Sequence, residues 1–191
     1  DRDGDLDIVS ASSGDNTIAW YENDGAANPS WTASDISYTA LGPRGIFLAD
    51  IDSDGDLDII SASSGDNTIA WYENDGAANP SWTAADISTT ADGARNVFVA
   101  DIDSDGDLDI VSASHDDDTI AWYENDGNSD PSFTKNVIST SADGARGVHI
   151  ADIDSDGDLD IVSASRIDNK IAWYENDGAA NPSWSTTTIA T

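Results

Sequence analysis

The acidic string around Gly4 returns at Gly55, Gly106 and Gly157, so one 51-residue period runs the length of the chain. A period of that size marks a tandem array of one supersecondary unit, whose apolar faces are buried only when neighbours stack. Within a period the string is followed by an apolar run, Leu57-Asp58-Ile59-Ile60-Ser61-Ala62-Ser63, then a polar turn and a second run, Thr68-Ile69-Ala70-Trp71-Tyr72-Glu73-Asn74. An Asn-Asp-Gly turn and an Asn-Pro-Ser stretch lead to a third run from Trp82, and a fourth, Asn96-Val97-Phe98-Val99-Ala100, delivers the chain into the next string. Short runs bounded by Gly, Asn, Asp and Pro read as strands, four to a repeat.

No stretch carries helical periodicity, and β-branched and aromatic residues fill the runs, so the class is all-β. Four short antiparallel strands at this period predict β-propeller blades, with a solenoid of hairpins as the weaker alternative. Runs such as Asp109-Ile110-Val111-Ser112-Ala113 are apolar or small on both faces, which suits sheets sandwiched between neighbouring blades. The repeats divide as 1–43 (a partial blade), 44–94, 95–145 and 146–191, giving four tandem 51-residue units with 15 strands in place of 16. One blade lacks its innermost strand, so closure of a ring by this chain alone is disfavoured, and a segment of a larger propeller, for example of about seven blades, is expected.

Thirty-eight acidic residues against seven basic ones give a formal charge of −31. Such a field repels nucleic acid and anionic membrane surfaces, so neither is expected as a partner, and no stretch reads as a membrane span. Seven Trp, five Tyr and a hydrophobic fraction of 38% favour a folded chain whose carboxylates are neutralised by cations over an acidic disordered segment. There is no cysteine for disulfides or thiolate metal sites.

The chemistry is concentrated in the acidic strings. In Asp50-Ile51-Asp52-Ser53-Asp54-Gly55-Asp56-Leu57-Asp58, carboxylates stand at positions 1, 3, 5, 7 and 9 with the turn glycine at 6. A hard cation such as Ca2+ takes six to eight oxygens at about 2.3–2.6 Å, and this loop can supply side chains from positions 1, 3, 5 and 9 and a backbone carbonyl from 7. The same register recurs as Asp101, Asp103, Asp105, Asp107, Asp109 and as Asp152, Asp154, Asp156, Asp158, Asp160. The first copy, with Asp1, Asp3, Asp5 and Asp7, lacks position 1, so a complete site is not expected there. Without a cation these carboxylates repel one another. A purely solvated loop would not require one register three times over, and an EF-hand fails because position 12 is Ser61, Ser112 or Ser163 where a bidentate Glu belongs.

The string Ala-Asp-Ile-Asp-Ser-Asp-Gly-Asp-Leu-Asp-Ile, followed by a strand containing Ile-Ala-Trp-Tyr-Glu-Asn, resembles the FG-GAP or VCBS repeat family, over essentially the whole chain. Members resemble the propeller of integrin α subunits, which implies loops carrying calcium between the first two strands of a blade. The resemblance implies Asp50, Asp52, Asp54 and Asp58 as side-chain ligands and Asp56 as a carbonyl ligand, and likewise in the third and fourth copies. It also implies a secreted or cell-surface protein with an adhesive or recognition role, hence extracellular residence. It does not specify a ligand, since such repeats also occur in lectins and beside catalytic domains.

The repeats differ most at the turn between the second and third strands, where Ser13 to Asn16 and Ser64 to Asn67 match but His115 to Asp118 and Arg166 to Asn169 do not, and at the inter-blade linker. In an antiparallel meander these fall on one face of the disc and the Asp loops on the other, so the variable face is the expected recognition face. Arg44, Arg95 and Arg146 share one repeat position just before the innermost strand, which places them at the channel mouth on that face. An anionic ligand and pairing with neighbouring Asp both account for them, the second being favoured; His115 and Arg166 are the other ligand-contact candidates. Trp20, Trp71, Trp122 and Trp173, their neighbouring Tyr, and Trp31, Trp82, Phe133 and Trp184 read mainly as packing between blades, with glycan stacking as the minor reading. No nucleophile has a recognisable base, so no enzyme activity is expected. Two functional classes fit: a calcium-rigidified module presenting a protein or glycan partner, and an accessory propeller of a secreted enzyme. Other blades or a second copy of the chain are the remaining expected partners.

Overall fold

A computed structural model describes all 191 residues, and every regular element in it is a strand. The first sheet holds β1 (Ile8–Ser12), β2 (Thr17–Asn23) and β3 (Trp31–Ser37), and the second β4 (Pro43–Ala49), β5 (Asp58–Ser63), β6 (Thr68–Asn74) and β7 (Trp82–Ser88). The third holds β8 (Ala94–Ala100), β9 (Asp109–Ser114), β10 (Thr119–Asn125) and β11 (Phe133–Ser139), and the fourth β12 (Ala145–Ala151), β13 (Asp160–Ser165), β14 (Ile171–Asn176) and β15 (Trp184–Ala190). Each sheet is an antiparallel meander in sequence order, a propeller blade as the sequence predicts. No helix is long and apolar enough to cross a membrane.

The turns follow from residue type. Asn16, Asn67, Asp118 and Asn169 take left-handed φ of 63°, 62°, 58° and 55° between the second and third strands, a conformation Asn and Asp tolerate better than other residues bearing a side chain. The blades stack side by side through three separate cores, one per interface. Ile18, Ala40, Ile59, Ala70 and Tyr72 join the first to the second. A larger cluster around Trp71, Val97, Ile110 and Tyr123 joins the second to the third, and one around Val111, Trp122, Ile161 and Tyr174 the third to the fourth. No core joins the fourth to the first, so the array is open.

Stacking explains the doubly apolar runs: all six residues of β5 and of β9 are buried, because a blade covers each face. The last strands are the opposite, with β7 and β15 mostly exposed along the outer rim. The first strands of the full blades, β4, β8 and β12, lie against one another along the inner side. There Phe47 and Phe98 sit with ring centroids 4.8 Å apart, and Phe98 meets His149 edge-on at 4.8 Å. Those three residues share one repeat position, so equivalent residues of neighbouring inner strands stand in a row.

At the same inner strands Gly45 faces backbone: a Cβ there would lie 2.8 Å from the Arg95 carbonyl oxygen and 2.9 Å from Asn96 Cα. Gly147, at the equivalent position of the fourth blade, would meet nothing within 4 Å. Gly45→Ala is therefore expected to cost about 1–3 kcal/mol by forcing two inner strands apart. Gly147→Ala is expected to leave stability unchanged or raise it by less than about 1 kcal/mol, and urea unfolding of the two variants checks the contrast.

Candidate metal centres

Each Asp loop joins the innermost strand of a blade to its second strand, and its shape is set by two residues in the positive-φ region. Position 4 is left-handed, with φ of 60°, 62° and 66° at Ser53, Ser104 and Ser155. Position 6 takes φ of 94°, 102° and 105° at Gly55, Gly106 and Gly157, values open in practice only to glycine. The reversal turns the carboxylates inward onto backbone N–H groups. Asp50 Oδ2 accepts from Gly55 N at 3.0 Å, and Asp54 Oδ1 from Asp56 N at 2.8 Å. In the third loop Asp101 accepts from both Asp105 N and Gly106 N at 3.1 Å.

Three carboxylate groups result, each with one oxygen per residue within 4.8 Å of the others: Asp50, Asp52 and Asp54; Asp101, Asp103 and Asp109; Asp152, Asp154 and Asp160. No such group forms around Asp1, Asp3, Asp5 and Asp7. Two like charges at that separation repel by about 1 kcal/mol in water and about 3 kcal/mol at an effective dielectric near 20. Burial, with repulsion from neighbouring carboxylates, pushes the Asp52, Asp103 and Asp154 carboxyls above the ordinary range. Asp50 Oδ1 is buried and has no hydrogen-bond partner. A clustered set of hard oxygens, one of them buried and unpartnered, fits a divalent cation of the calcium type.

The carboxylates divide their work in a way the spacing did not reveal. Position 9 (Asp58, Asp109 and Asp160) is 1% exposed and is first a structural anchor. Asp58 Oδ1 accepts from Asn74 N at 2.9 Å and Oδ2 from Ile51 N at 3.2 Å, so it ties the loop entrance to the end of the third strand. Asp109 and Asp160 repeat the pair, to Asn125 and Ile102 and to Asn176 and Ile153. Only in the third and fourth loops does position 9 also join a carboxylate group, in place of position 5. Asp105 and Asp156 accept from Asp107 N and Asp158 N, as Asp54 does from Asp56 N. The position-7 side chains lie apart from the groups: a Cβ at Gly76, Gly127 or Gly178 would fall 2.3, 2.1 or 2.1 Å from the Oδ2 of Asp56, Asp107 or Asp158. In the first loop Asp5 stands against Gly25 in the same way, and Asp7 accepts from Asn23 N and the Trp20 indole, both at 2.9 Å.

Two recurring residues of the site were not recognised from sequence. The recurring Trp of the third strand stands beside the anchor carboxylate: Trp20 donates to Asp7 at 2.9 Å, while Trp71 and Trp122 lie near Asp58 and Asp109 with their indole N–H groups buried and unpartnered. The Asn that closes the same strand links blades. Asn125 Nδ2 donates to Leu108 O at 3.1 Å in its own loop and to Ile51 O at 3.2 Å in the preceding blade's loop. Asn176 does the same toward Leu159 O and Ile102 O, both at 3.1 Å. Their signal was present, since Trp-Tyr-Glu-Asn recurs in every repeat, but it reads as ordinary strand until the loops are seen beside it. The Asp of the following turn is a local organiser: Asp75 Oδ1 accepts from Ala77 N at 3.1 Å and Ser81 N at 3.0 Å, which lowers its carboxyl below the usual range.

On the opposite face the two variable segments are bonded to each other. The left-handed Asx residue of one blade accepts from the linker glycine of the next: Asn16 from Gly42 at 2.8 Å, Asn67 from Gly93 at 3.0 Å, Asp118 from Gly144 at 2.8 Å. His115 Nδ1 lies 2.6 Å from Asp116 Oδ1, and Arg44 Nε donates to Ser64 Oγ at 2.8 Å. The favoured expectation for the arginine row fails, because none of Arg44, Arg95, Arg146 and Arg166 makes an ion pair within 4.0 Å. The aromatics follow the packing reading: Trp82, Phe133 and Trp184 rest on the three cores, and Trp31 remains 44% exposed.

Stacked four-stranded blades with an Asp loop between the first and second strands define this chain as a repeat segment of β-propeller architecture. The FG-GAP-like repeat matches it at residues 1–61, 50–112 and 101–163. The chain belongs to the FG-GAP-like repeat family. No curated protein sequence matches it. Among solved structures it is similar to an Agrocybe aegerita lectin described for specific recognition of non-reducing terminal N-acetylglucosamine, with 19% identity and a TM-score of 0.60 over 96% of this chain and 52% of the lectin chain. The chain thus spans about half the length of that relative, and at this identity the likeness concerns the fold alone.

Asn125→Ala is expected to cost about 1 kcal/mol more than Asn74→Ala, because Asn125 makes the cross-blade bond in addition to the loop bond both share. Chemical denaturation of the pair measures that difference. Desolvation raises the Asp58 carboxyl to about 6 and the Asp109 carboxyl to about 7, against 3.8 ordinarily. Both groups bind protons more tightly folded than unfolded. In chelator their contribution is therefore complete below about pH 4 and lost as pH rises through about 6 to 7. The denaturation midpoint in chelator is expected to fall over that window, and a flat or rising profile would contradict the burial of these carboxylates.

Proposed function

We propose that this chain is a calcium-stabilised propeller segment of a secreted or cell-surface protein that recognises a protein or glycan ligand, and that no catalytic step belongs to its residues. The observation that carries the reading is the set of three carboxylate groups, each folded inward at one place in successive blades. Calcium, when bound, supplies a divalent charge that turns their mutual repulsion into attraction and fixes the loop between the first two strands. Asp50, Asp52 and Asp54 would hold it in the second blade, Asp101, Asp103 and Asp109 in the third, and Asp152, Asp154 and Asp160 in the fourth. The backbone carbonyls of Asp56, Asp107 and Asp158 would complete each set, their side chains being occupied at the Asn-Asp-Gly turn.

Extracellular residence follows as part of the proposal, because sites of modest affinity fill at the millimolar calcium outside cells. Recognition is assigned to the face of second-to-third turns and inter-blade linkers. Those loops vary between repeats, while the hydrogen bonds between them hold their backbone in place.

With a dissociation constant on the order of 0.1 mM, each site adds about 1.8 kcal/mol at about 2 mM calcium, and three sites add about 5 kcal/mol, as much as the whole stability of a modest domain. Thermal unfolding in chelator, magnesium and calcium, with a calorimetric ion count, is expected to show a large rise in calcium alone and close to three ions per chain. Asp101→Asn or Asp152→Asn is expected to remove one ion each. Equal, weak responses to magnesium and calcium would overturn the metal assignment.

A further inference from the structure

We propose that Arg44, Arg95 and Arg146, joined by Arg166, form a binding site for a compact oxyanion, a carboxylate or sulfate group carried by the ligand, at the inner rim of the face opposite the Asp loops. The inference deepens the recognition reading and rests on it only in taking this face as the one the ligand approaches; it does not depend on calcium.

Of the seven basic residues of a chain with net charge −31, Arg44, Arg95 and Arg146 stand at equivalent positions of adjacent inner strands with Arg166 near enough to act on Arg95, and none of the four has a carboxylate within 4.0 Å. Of the other three basic residues two are paired with carboxylates, Arg2 Nη2 lying 2.7 Å from Asp56 Oδ1 and Lys170 Nζ 3.2 Å from Asp168 Oδ2, while Lys135 Nζ stands over the Tyr123 ring, 5.9 Å from its centroid. Three acids of the neighbouring turns are bonded elsewhere through at least one oxygen. Asp116 holds His115, Asp66 Oδ2 accepts from Leu41 N at 2.8 Å, and Asp118 Oδ1 accepts from Gly144 N.

The backbone places the row deliberately. The pairing of each inner strand with its neighbour shifts register between Pro43 and Gly45, between Ala94 and Asn96, and between Ala145 and Gly147. The residue left unpaired at each of these three bulges is the arginine. A bulge removes a residue from the ladder and re-aims its side chain, and bulges recur beside functional sites. The inner strands are in close contact at this level, through Gly45 against the Arg95 backbone and through Val148 N donating to Asn96 Oδ1 at 2.9 Å. Three residues further on, Phe47, Phe98 and His149 stand in a row with 4.8 Å between ring centroids, so equivalent positions on β4, β8 and β12 are near neighbours.

Like charges so arranged destabilise one another. The Arg95 guanidinium is held below the ordinary arginine range, first by desolvation and then by Arg44 and Arg146, with Arg166 adding to them and only Asp116 opposing. Arg95 Nε is buried with no acceptor, and no side-chain N–H of Arg146 or Arg166 has one. Planar guanidinium forks with unfilled donors and mutual repulsion suit a carboxylate or sulfate, which accepts from several N–H groups at once. A long polyanion is opposed by the acidic remainder of the surface, so the site fits a single anionic group, such as one at the end of an acidic glycan.

The experiment titrates inorganic sulfate, glucuronate and, as a neutral control, glucose into the full chain at low ionic strength. It follows the arginine Nε–H resonances by NMR, once in calcium and once in chelator. Saturable shifts of the four arginine signals with sulfate or glucuronate and none with glucose are expected, the stronger of the two anions naming the group. Arg44→Gln with Arg146→Gln, both exposed side chains, is expected to weaken binding about tenfold or more. Asp116→Asn, which removes the opposing charge, is expected to strengthen it. Near-ultraviolet circular dichroism of the tryptophans checks that each variant is folded; Arg95→Lys, which keeps the charge and loses the fork, provides a second variant and is also expected to weaken binding. Absence of a saturable anion response, or a response unchanged in the arginine variants, would overturn the proposal. Anion binding that persists where calcium fails to bind would remove the calcium reading and leave the anion site standing.

Discussion

Everything on the Asp-loop side hangs on a carboxylate that never reaches solvent. The ninth residue of the loop, Asp58, Asp109 or Asp160, starts the second strand and accepts two backbone N–H bonds, one from the loop entrance and one from the end of the third strand. An ionised carboxyl at about 1% exposure carries a large desolvation cost, which raises Asp58 and Asp109 toward neutrality. The two backbone donors offset part of that cost, and a cation at the loop would offset more. The anchor therefore sets loop shape, and in Asp58 and Asp109 it couples that shape to protonation.

Stacking transmits that local order. Asn125 and Asn176, at the ends of their third strands, are each fixed by the anchor of their own blade and donate to the loop carbonyl of the blade before it. The route from Asp58 through Ile51, Asn125, Asp109, Ile102 and Asn176 to Asp160 is continuous in hydrogen bonds. On the other face the left-handed Asx residues bond the linker glycines in the same blade-to-blade direction. Between these two polar seams lie the three apolar cores, which is the expected division in a repeat array whose stability is a sum of neighbour interfaces. The two faces of the disc differ in charge logic: carboxylates crowd on one, and unpaired guanidinium groups gather at the inner rim of the other.

The repeat, the strand count and the Asp register were legible in the sequence, because period, turn residues and carboxylate spacing are local properties. Four strands per blade and the register of the Asp string need no knowledge of distant contacts. That Asp109 and Asp160 join the carboxylate groups while Asp58 does not, that Trp71 faces an anchor carboxylate, and that Asn125 bridges two blades are products of packing. The arginine row marks the same boundary. Its common repeat position was visible along the chain, but pairing with nearby Asp was the natural expectation, and the structure forms no such ion pair, with Asp66, Asp116 and Asp118 bonded elsewhere.

The sequence by itself determined the all-β blade, the number of strands and the loops able to gather hard oxygens, since each depends on residues within about a dozen positions of one another. The tertiary structure decided which oxygens converge, which carboxylate is buried, and which cations stay unpaired. Those outcomes depend on stacking, which brings together residues 51 or 74 positions apart and removes water from between them, and only there do desolvation and like-charge repulsion become large enough to choose among the many Asp of the chain.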